Sequence, residues 1–368
     1  MKKTVYVLGA GFSMDAKAPS QENLVKNIFK LYAENIHVFK KGSVEKFRLF
    51  LKETMLIPDE LHEKVPLEDL FTPLDRCLLD NISYRNLGNK EIVEIRKLIY
   101  YLIGTTLQHV LQAADKEYID VFAKYLVEVS SKRKNYNYKK VDLISVISTN
   151  WDILLDNSIK NYINHNFLNQ AVVDYCCHIS SYEKNDETIL PGLEMLGKGG
   201  FNVKLIKLHG SLNWLQCPNC HRLYVKFDEK IGMQSFNTPS NCRHCDTNFE
   251  PSEAHQLVSN SIMPTFIKDF SNPQYKVIWQ NAAIEISEAS KIVFIGYSLP
   301  YADFEMRQML SRMVRRNAKI EVVSYGKSSR DQQVKELIKR YQVFFGNRFN
   351  GKVFSKGAKA YVEKKFKK

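Results

Sequence analysis

Short runs of apolar, often β-branched residues that stop at glycine or a small polar residue recur along the chain. Thr4-Val5-Tyr6-Val7-Leu8 stops at Gly9, Val141 to Ile147 at Ser148-Thr149-Asn150, and Leu205-Ile206-Lys207-Leu208 at His209-Gly210-Ser211. Lys291 to Ile295 stops at Gly296, and Lys319 to Val323 at Ser324-Tyr325-Gly326. Such runs read as strands buried on both faces, as in a parallel sheet covered by helices. Between them the period changes. Ile92, Ile95, Leu98, Ile99 and Leu102 repeat with helical spacing inside a mostly helical stretch, residues 20–135, for which Ser20 is a plausible N-cap. Ile153, Leu154, Leu155 and Ile159 predict a helix after Asp152, and further helices are expected around 275–289, after Asp303 and from Arg330 to Arg340. Strand and helix alternating in this way predict an α/β doubly wound sheet with its ligand along one edge.

With 368 residues the chain exceeds the usual single domain, so one large domain carrying an inserted module, or two domains, is expected. No apolar run approaches the ~18 residues of a membrane span. The Thr4–Leu8 run behind Met1-Lys2-Lys3 is too short for a secretory core, so a cytoplasmic location without membrane attachment is expected. Seven cysteines, an odd number without an export signal, point to metal or thiol roles rather than disulfides. The net charge of +13 suggests an anionic partner, but Gly351–Lys368, with seven lysines against Glu363, supplies +6 of it. That segment reads as a solvated Lys-rich tail, with nucleic-acid binding the minority reading.

Three groups of residues carry candidate chemistry. Gly9-Ala10-Gly11-Phe12-Ser13 follows a strand, and its glycines let the backbone approach a phosphate held by helix N-terminal amides. Met14 stands where a third glycine would complete the dinucleotide fingerprint, and no acid-ended strand follows about 20 residues on, which disfavours an ordinary dehydrogenase. His209, at the C-terminal end of a buried strand, is the candidate catalytic base, although a lone histidine is more often structural. Asn150 and Asp152 stand at a helix start; capping alone explains either, and a functional role requires them beside His209.

Cys217-Pro218-Asn219-Cys220 and Cys242-Arg243-His244-Cys245 have the spacing of a zinc ribbon whose four thiolates close a structural Zn2+ site, with His221 and His244 as candidate substitutes. A free redox cluster, or a nucleic-acid knuckle using Arg222, Lys226, Arg243, Tyr224 and Phe227, are the other readings. Residues 165–200 read as irregular, Cys77, Cys176 and Cys177 as inert buried thiols, and Arg307, Arg312, Arg315 and Arg316 as a solvated helix face.

Taken in order, these segments resemble the sirtuin family. Gly9-Ala10-Gly11-Phe12-Ser13 is similar to its glycine motif, Ser148-Thr149-Asn150-Trp151-Asp152 to its T-Q-N-x-D loop, and His209-Gly210 to its catalytic pair. The four cysteines resemble its ribbon, Met263-Pro264 its R-P segment and Gly296-Tyr297-Ser298 its G-T-S loop, so the likeness runs over residues 4–326. It implies a Rossmann-like NAD-binding domain in two parts, 1–215 with the helical insertion 20–135 and 251–350, separated by the zinc-ribbon module 216–250 and followed by the tail 351–368. It implies that Gly9, Ala10, Gly11 and Ser13 hold the NAD diphosphate, Gly296 and Ser298 the adenosine side, and Thr149 part of the same cleft. Asn150 would position water or ribose, Asp152 the carboxamide, and His209 would take a proton.

Three departures separate this chain from deacetylating members, one of them Thr149 in place of the family's Gln. Their G-I-P-D-F-R lid is replaced by Ala16-Lys17-Ala18-Pro19-Ser20-Gln21, and their peptide-pairing F-G-E by Ile267-Lys268-Asp269-Phe270. What remains is similar to the bacterial sirtuin-like NAD hydrolases of anti-phage defence. That resemblance implies cleavage of NAD to nicotinamide and ADP-ribose, homo-oligomers, and a regulatory partner such as an ATPase or nucleic-acid sensor. Protein deacylation or ADP-ribosyl transfer, and a non-catalytic NAD-sensing and nucleic-acid-binding module, are the alternatives.

Overall fold

The computed structural model describes residues 2–134, 142–184, 186, 188–227, 236, 238–250, 252–326 and 331–367. Val141, Arg330 and Lys368 lie outside them. The apolar runs form strands as expected: β1 (Thr4–Leu8), β2 (Ile144–Ser148), β5 (Phe201–Lys207), β9 (Lys291–Ile295) and β10 (Lys319–Val323). Two further strands, β3 (Ala171–Asp174) and β11 (Phe349–Phe354), complete a seven-stranded sheet of order β11-β10-β9-β1-β2-β5-β3, parallel throughout. From β1 the chain fills one side with β2, β3 and β5, β5 inserting between β2 and the edge strand β3, and then crosses to β9, β10 and β11 on the other, so the switch point lies at β1. Leu8 pairs with Ser148 and Ile295, and Ser148 with Lys207. This register brings the residues after β1, β2, β5 and β9 to one edge, where doubly wound sheets bind ligands.

A second sheet of order β4-β7-β6-β8 is built from Ile179–Ser181 (β4), Leu223–Val225 (β7), Gly210–Gln216 (β6) and Val258–Ser261 (β8). It extends the ribbon beyond 216–250, and β3 and β4 give order to the 165–200 segment. Both were hidden by their length: three or four residues carry too little periodicity to read. The strand before His209 does not simply end in a turn. Leu208 and His209 form a two-residue joint between β5 of the large sheet and β6 of the small one.

The helices of 20–135 divide between two cores. Those between Leu24 and Val110 build a cluster of their own, including Ile28, Phe47, Leu70 and Ile99, and lean on Ile153, Leu212 and Met263 near the sheet edge. Helix Glu117–Ser130 instead packs Tyr118, Phe122 and Leu126 on the large sheet. The Lys-rich tail is corrected: β11 pairs with β10, and helix Gly357–Phe366 buries Tyr361 and Val362. Its described lysines are exposed except for the half-buried Lys359, but apolar residues at helical spacing between them anchor the segment. No helix among the described residues is long and apolar enough to cross a membrane.

Candidate functional site

The glycine turn after β1 is packed against the one after β9. Gly11 N–H donates to the Gly296 carbonyl at 3.0 Å, and a methyl group on Gly9 would sit 2.6 Å from that oxygen. Gly296 has φ +64°, a conformation that side chains strain. The two loops therefore touch only because both lack side chains. The β2 loop closes the other side: Asn150 Nδ2 donates to the Gly9 carbonyl at 3.0 Å, and Thr149 N–H to Leu8 O at 3.0 Å. Asp152 bridges the two motifs. One carboxylate oxygen accepts from the buried Ser13 hydroxyl at 2.8 Å, and the other accepts the Leu154 amide at the start of helix Leu154–Asn166. Capping and placement at the glycine turn are thus roles of one side chain.

His209 is held by its own carbonyl, which accepts from Ile262 N–H at 2.9 Å, and its ring lies 6.3 Å from that of Trp279. Its Nε2 stands 3.3 Å from Asp303 Oδ1, with both side chains largely buried, and neither atom makes a well-directed hydrogen bond. Asp303 also accepts from the Tyr297 hydroxyl at 2.7 Å and faces Lys268 Nζ at 3.3 Å. Burial disfavours the charged carboxylate, but His209, then Lys268 and the Tyr297 hydroxyl, outweigh it and hold Asp303 well below the usual carboxylate range. An ionised carboxylate beside an imidazole orients the ring and stabilises the cation formed when it accepts a proton.

Asp303 was legible only as the residue opening helix Phe304–Met313. Its side chain makes no cap hydrogen bond and turns inward instead. Lys207 was missed altogether. Its fully buried ammonium donates to the Asp152 carbonyl at 2.6 Å and pairs with Asp156 at 3.2 Å, fixing the β2 loop from beneath. A lysine inside an apolar strand was the one available signal, since burying it demands a partner. Ser298 sits exposed on the same edge, its carbonyl accepting from Arg340 at 2.8 Å. The helix face Arg307–Arg316 is only partly solvated. Arg307 lies over the Tyr301 and Phe344 rings, and Arg315 donates to Ala289 O at 3.1 Å.

The four ribbon cysteines converge, their sulfurs all within 4.8 Å of one another. Cys217 and Cys245 Sγ are 3.7 Å apart, Cys220 and Cys242 Sγ 3.8 Å. Zinc–sulfur bonds of about 2.3 Å in a tetrahedron give edges of about 3.8 Å, so the set fits one structural Zn2+ without rearrangement. The Tyr224 hydroxyl, 3.1 Å from Cys242 Sγ, and the Cys220 amide, 3.5 Å from Cys217 Sγ, supply the hydrogen bonds that thiolates take. His221 and His244 are not members of the cluster. Cys77 is buried as expected, whereas Cys176 and Cys177 are half-buried, with desolvation pushing both of their thiols up.

No family model and no curated protein matches the chain. Solved structures that align with it include Sir2Tm bound to a propionylated peptide, at 14% identity and TM-score 0.39 over 99% of this chain and 91% of that one. A Sir2 complex with an inhibitor, 2'-O-acetyl-ADP-ribose and a deacetylated p53 peptide aligns at 14% identity and TM-score 0.38, over 98% and 91%. Sir2 with a p53 peptide and NAD+ aligns at 16% identity and TM-score 0.34, over 93% and 92%.

Proposed function

We propose that the chain is an NAD hydrolase that cleaves the nicotinamide–ribose bond and passes the ADP-ribosyl group to water. The observation that carries this reading is the His209–Asp303 pair placed on the same sheet edge as the interlocked Gly9–Ser13, Thr149–Asp152 and Gly296–Ser298 loops. The amide-rich glycine turn at the sheet's switch point suits a diphosphate. In the reaction the C1'–N bond breaks and its electron pair leaves with nicotinamide. Water then attacks the oxocarbenium-like carbon, Asn150 orients water or ribose, and His209 takes the proton released. Asp303 keeps the imidazole oriented and offsets its charge once protonated.

Water as the acceptor is supported by the segment after β8. Residues 266–270 form no strand that an acyl peptide could extend, and Lys268 turns inward to Asp303 and to Glu305 at 2.6 Å. The test is nicotinamide release from NAD by the purified protein, followed by chromatography, with His209→Ala beside it. Peptide-independent release that H209A abolishes supports hydrolysis. Undiminished release by H209A refutes the assignment, and release that requires an acylated peptide or labels a protein acceptor transfers it to deacylation or ADP-ribosyl transfer. Oligomerisation and control by an ATPase or nucleic-acid sensor, in anti-phage defence, belong to the same proposal. Silent protein that stays silent with every such partner counts against it.

A further inference from the structure

The ribbon carries a cup of about 270 Å³ that the NAD reaction does not use. Its floor is the parallel β4–β7 pair, where Ser180 stands beside Tyr224, and its wall is the short helix Arg243–Asn248. Arg222, Arg243, His244, Thr247 and Asn248 line it with Ser180, and among the described residues no carboxylate does. Both guanidiniums are held without a carboxylate. Arg243 lies over the Tyr224 ring at 5.0 Å and donates to the Tyr182 and Ser181 carbonyls at 2.7 Å each. Arg222 Nη1 donates to Ser180 Oγ at 3.2 Å and lies 3.4 Å from His178 Nε2. Among the described residues, neither arginine has an acidic partner.

Two uncompensated, pre-positioned guanidiniums beside the Ser180 hydroxyl match a tetrahedral anion that offers several oxygens at once, while Thr247 and Asn248, whose donors go to the Arg243 and His244 carbonyls, shape the wall. A single carboxylate would be satisfied by one fork. The volume exceeds that of a bare phosphate and leaves room for an attached sugar. We propose that this cup is a phosphate-binding subsite for a nucleotide or polynucleotide, independent of the NAD cleft and of whether the chain hydrolyses NAD. It gives the ribbon a partner contact, in place of the C-terminal segment to which the charge count pointed.

The test uses the zinc-loaded full chain and fluorescence anisotropy of a labelled short single-stranded oligonucleotide, with AMP, inorganic phosphate and a glutamate-rich peptide as competitors. Arg222→Gln is expected to weaken binding about tenfold while zinc content and melting temperature stay at wild-type values. Lys352→Gln, which removes an exposed charge elsewhere, is expected to leave binding unchanged. Displacement by AMP assigns the cup to single nucleotides; retained oligonucleotide binding that only longer strands displace assigns it to backbone phosphates. Equal losses in R222Q and K352Q, insensitivity of all binding to R222Q, displacement by the peptide as readily as by nucleotide, or no binding at millimolar ligand each overturn the proposal. None of these readouts involves NAD turnover, so the two readings fail separately.

Discussion

Replacing Asp303 by Asn removes one charge beside His209 while keeping an oxygen for the Tyr297 hydroxyl, which now sits 2.7 Å away. At the observed 3.3 Å, a carboxylate and an imidazolium attract by about 5 kcal/mol if the effective dielectric is about 20. Lys268 stands equally close to the same oxygen and already draws on that charge. The share lost to His209 is therefore smaller, about 2–3 kcal/mol, which corresponds to a fall in kcat of about 30- to 150-fold. Lys268 keeps its contact with Glu305, so no buried cation is orphaned and the melting temperature should change little. The assay is NAD turnover across pH. Because Asp303 acts through the imidazole, kcat should fall more than KM rises, and the acid limb of kcat/KM should move to lower pH. A folded D303N protein with wild-type kcat and an unmoved pH profile refutes the assignment of Asp303 as a positioning residue.

Lys207→Met should cost about 3–5 kcal/mol of stability, measured by urea denaturation, because Asp156 is left buried without its cation, and K207M/D156N together should recover much of the loss. Burial already raises the Asp156 pKa, so protonation of the orphaned acid brings the cost toward the lower figure. Below the sheet, Asp142 meets Arg133, Lys3 at 2.8 Å and Lys204 at 2.8 Å. Burial opposes its charge, but Arg133, Lys204 and Lys3 outweigh it and lower its pKa to about 2. A depressed folded pKa means that this stabilisation, about 2 kcal/mol, is complete above about pH 4 and is lost as pH falls through about 2. Acid unfolding of Asp142→Asn should be flatter over that window than wild type. Chelation should release about one zinc per chain, and Cys245→Ser should prevent its binding, whereas equal zinc content in C245S would refute the four-sulfur site.

Five strands of the large sheet, their glycine or small polar stops and the two cysteine knuckles were legible in the linear chain because each is a local pattern. Apolar runs, chain-reversing glycines and close thiol pairs declare themselves within a few residues. The likeness carried by Gly9–Ser13, Asn150, Asp152 and His209 was local in the same sense, so the edge where they meet could be foreseen. The partners of those residues could not. Asp303 reads only as the start of a helix and Lys268 only as part of the Ile267–Phe270 departure until the sheet order brings β9 beside β1, which places the helix after β9 next to the joint between β5 and β6. The Gly351–Lys367 segment reads as a charged tail by composition, yet its first residues pair with β10 and its helix buries Ala358, Tyr361 and Val362. The cysteine cluster draws Arg222 and Arg243 together, but the groups that hold them, Ser180 Oγ and the Ser181 and Tyr182 carbonyls, arrive only when β4 pairs with β7. Pairings of this kind depend on which strands lie side by side, a choice made by packing across the whole molecule and not by any window of residues.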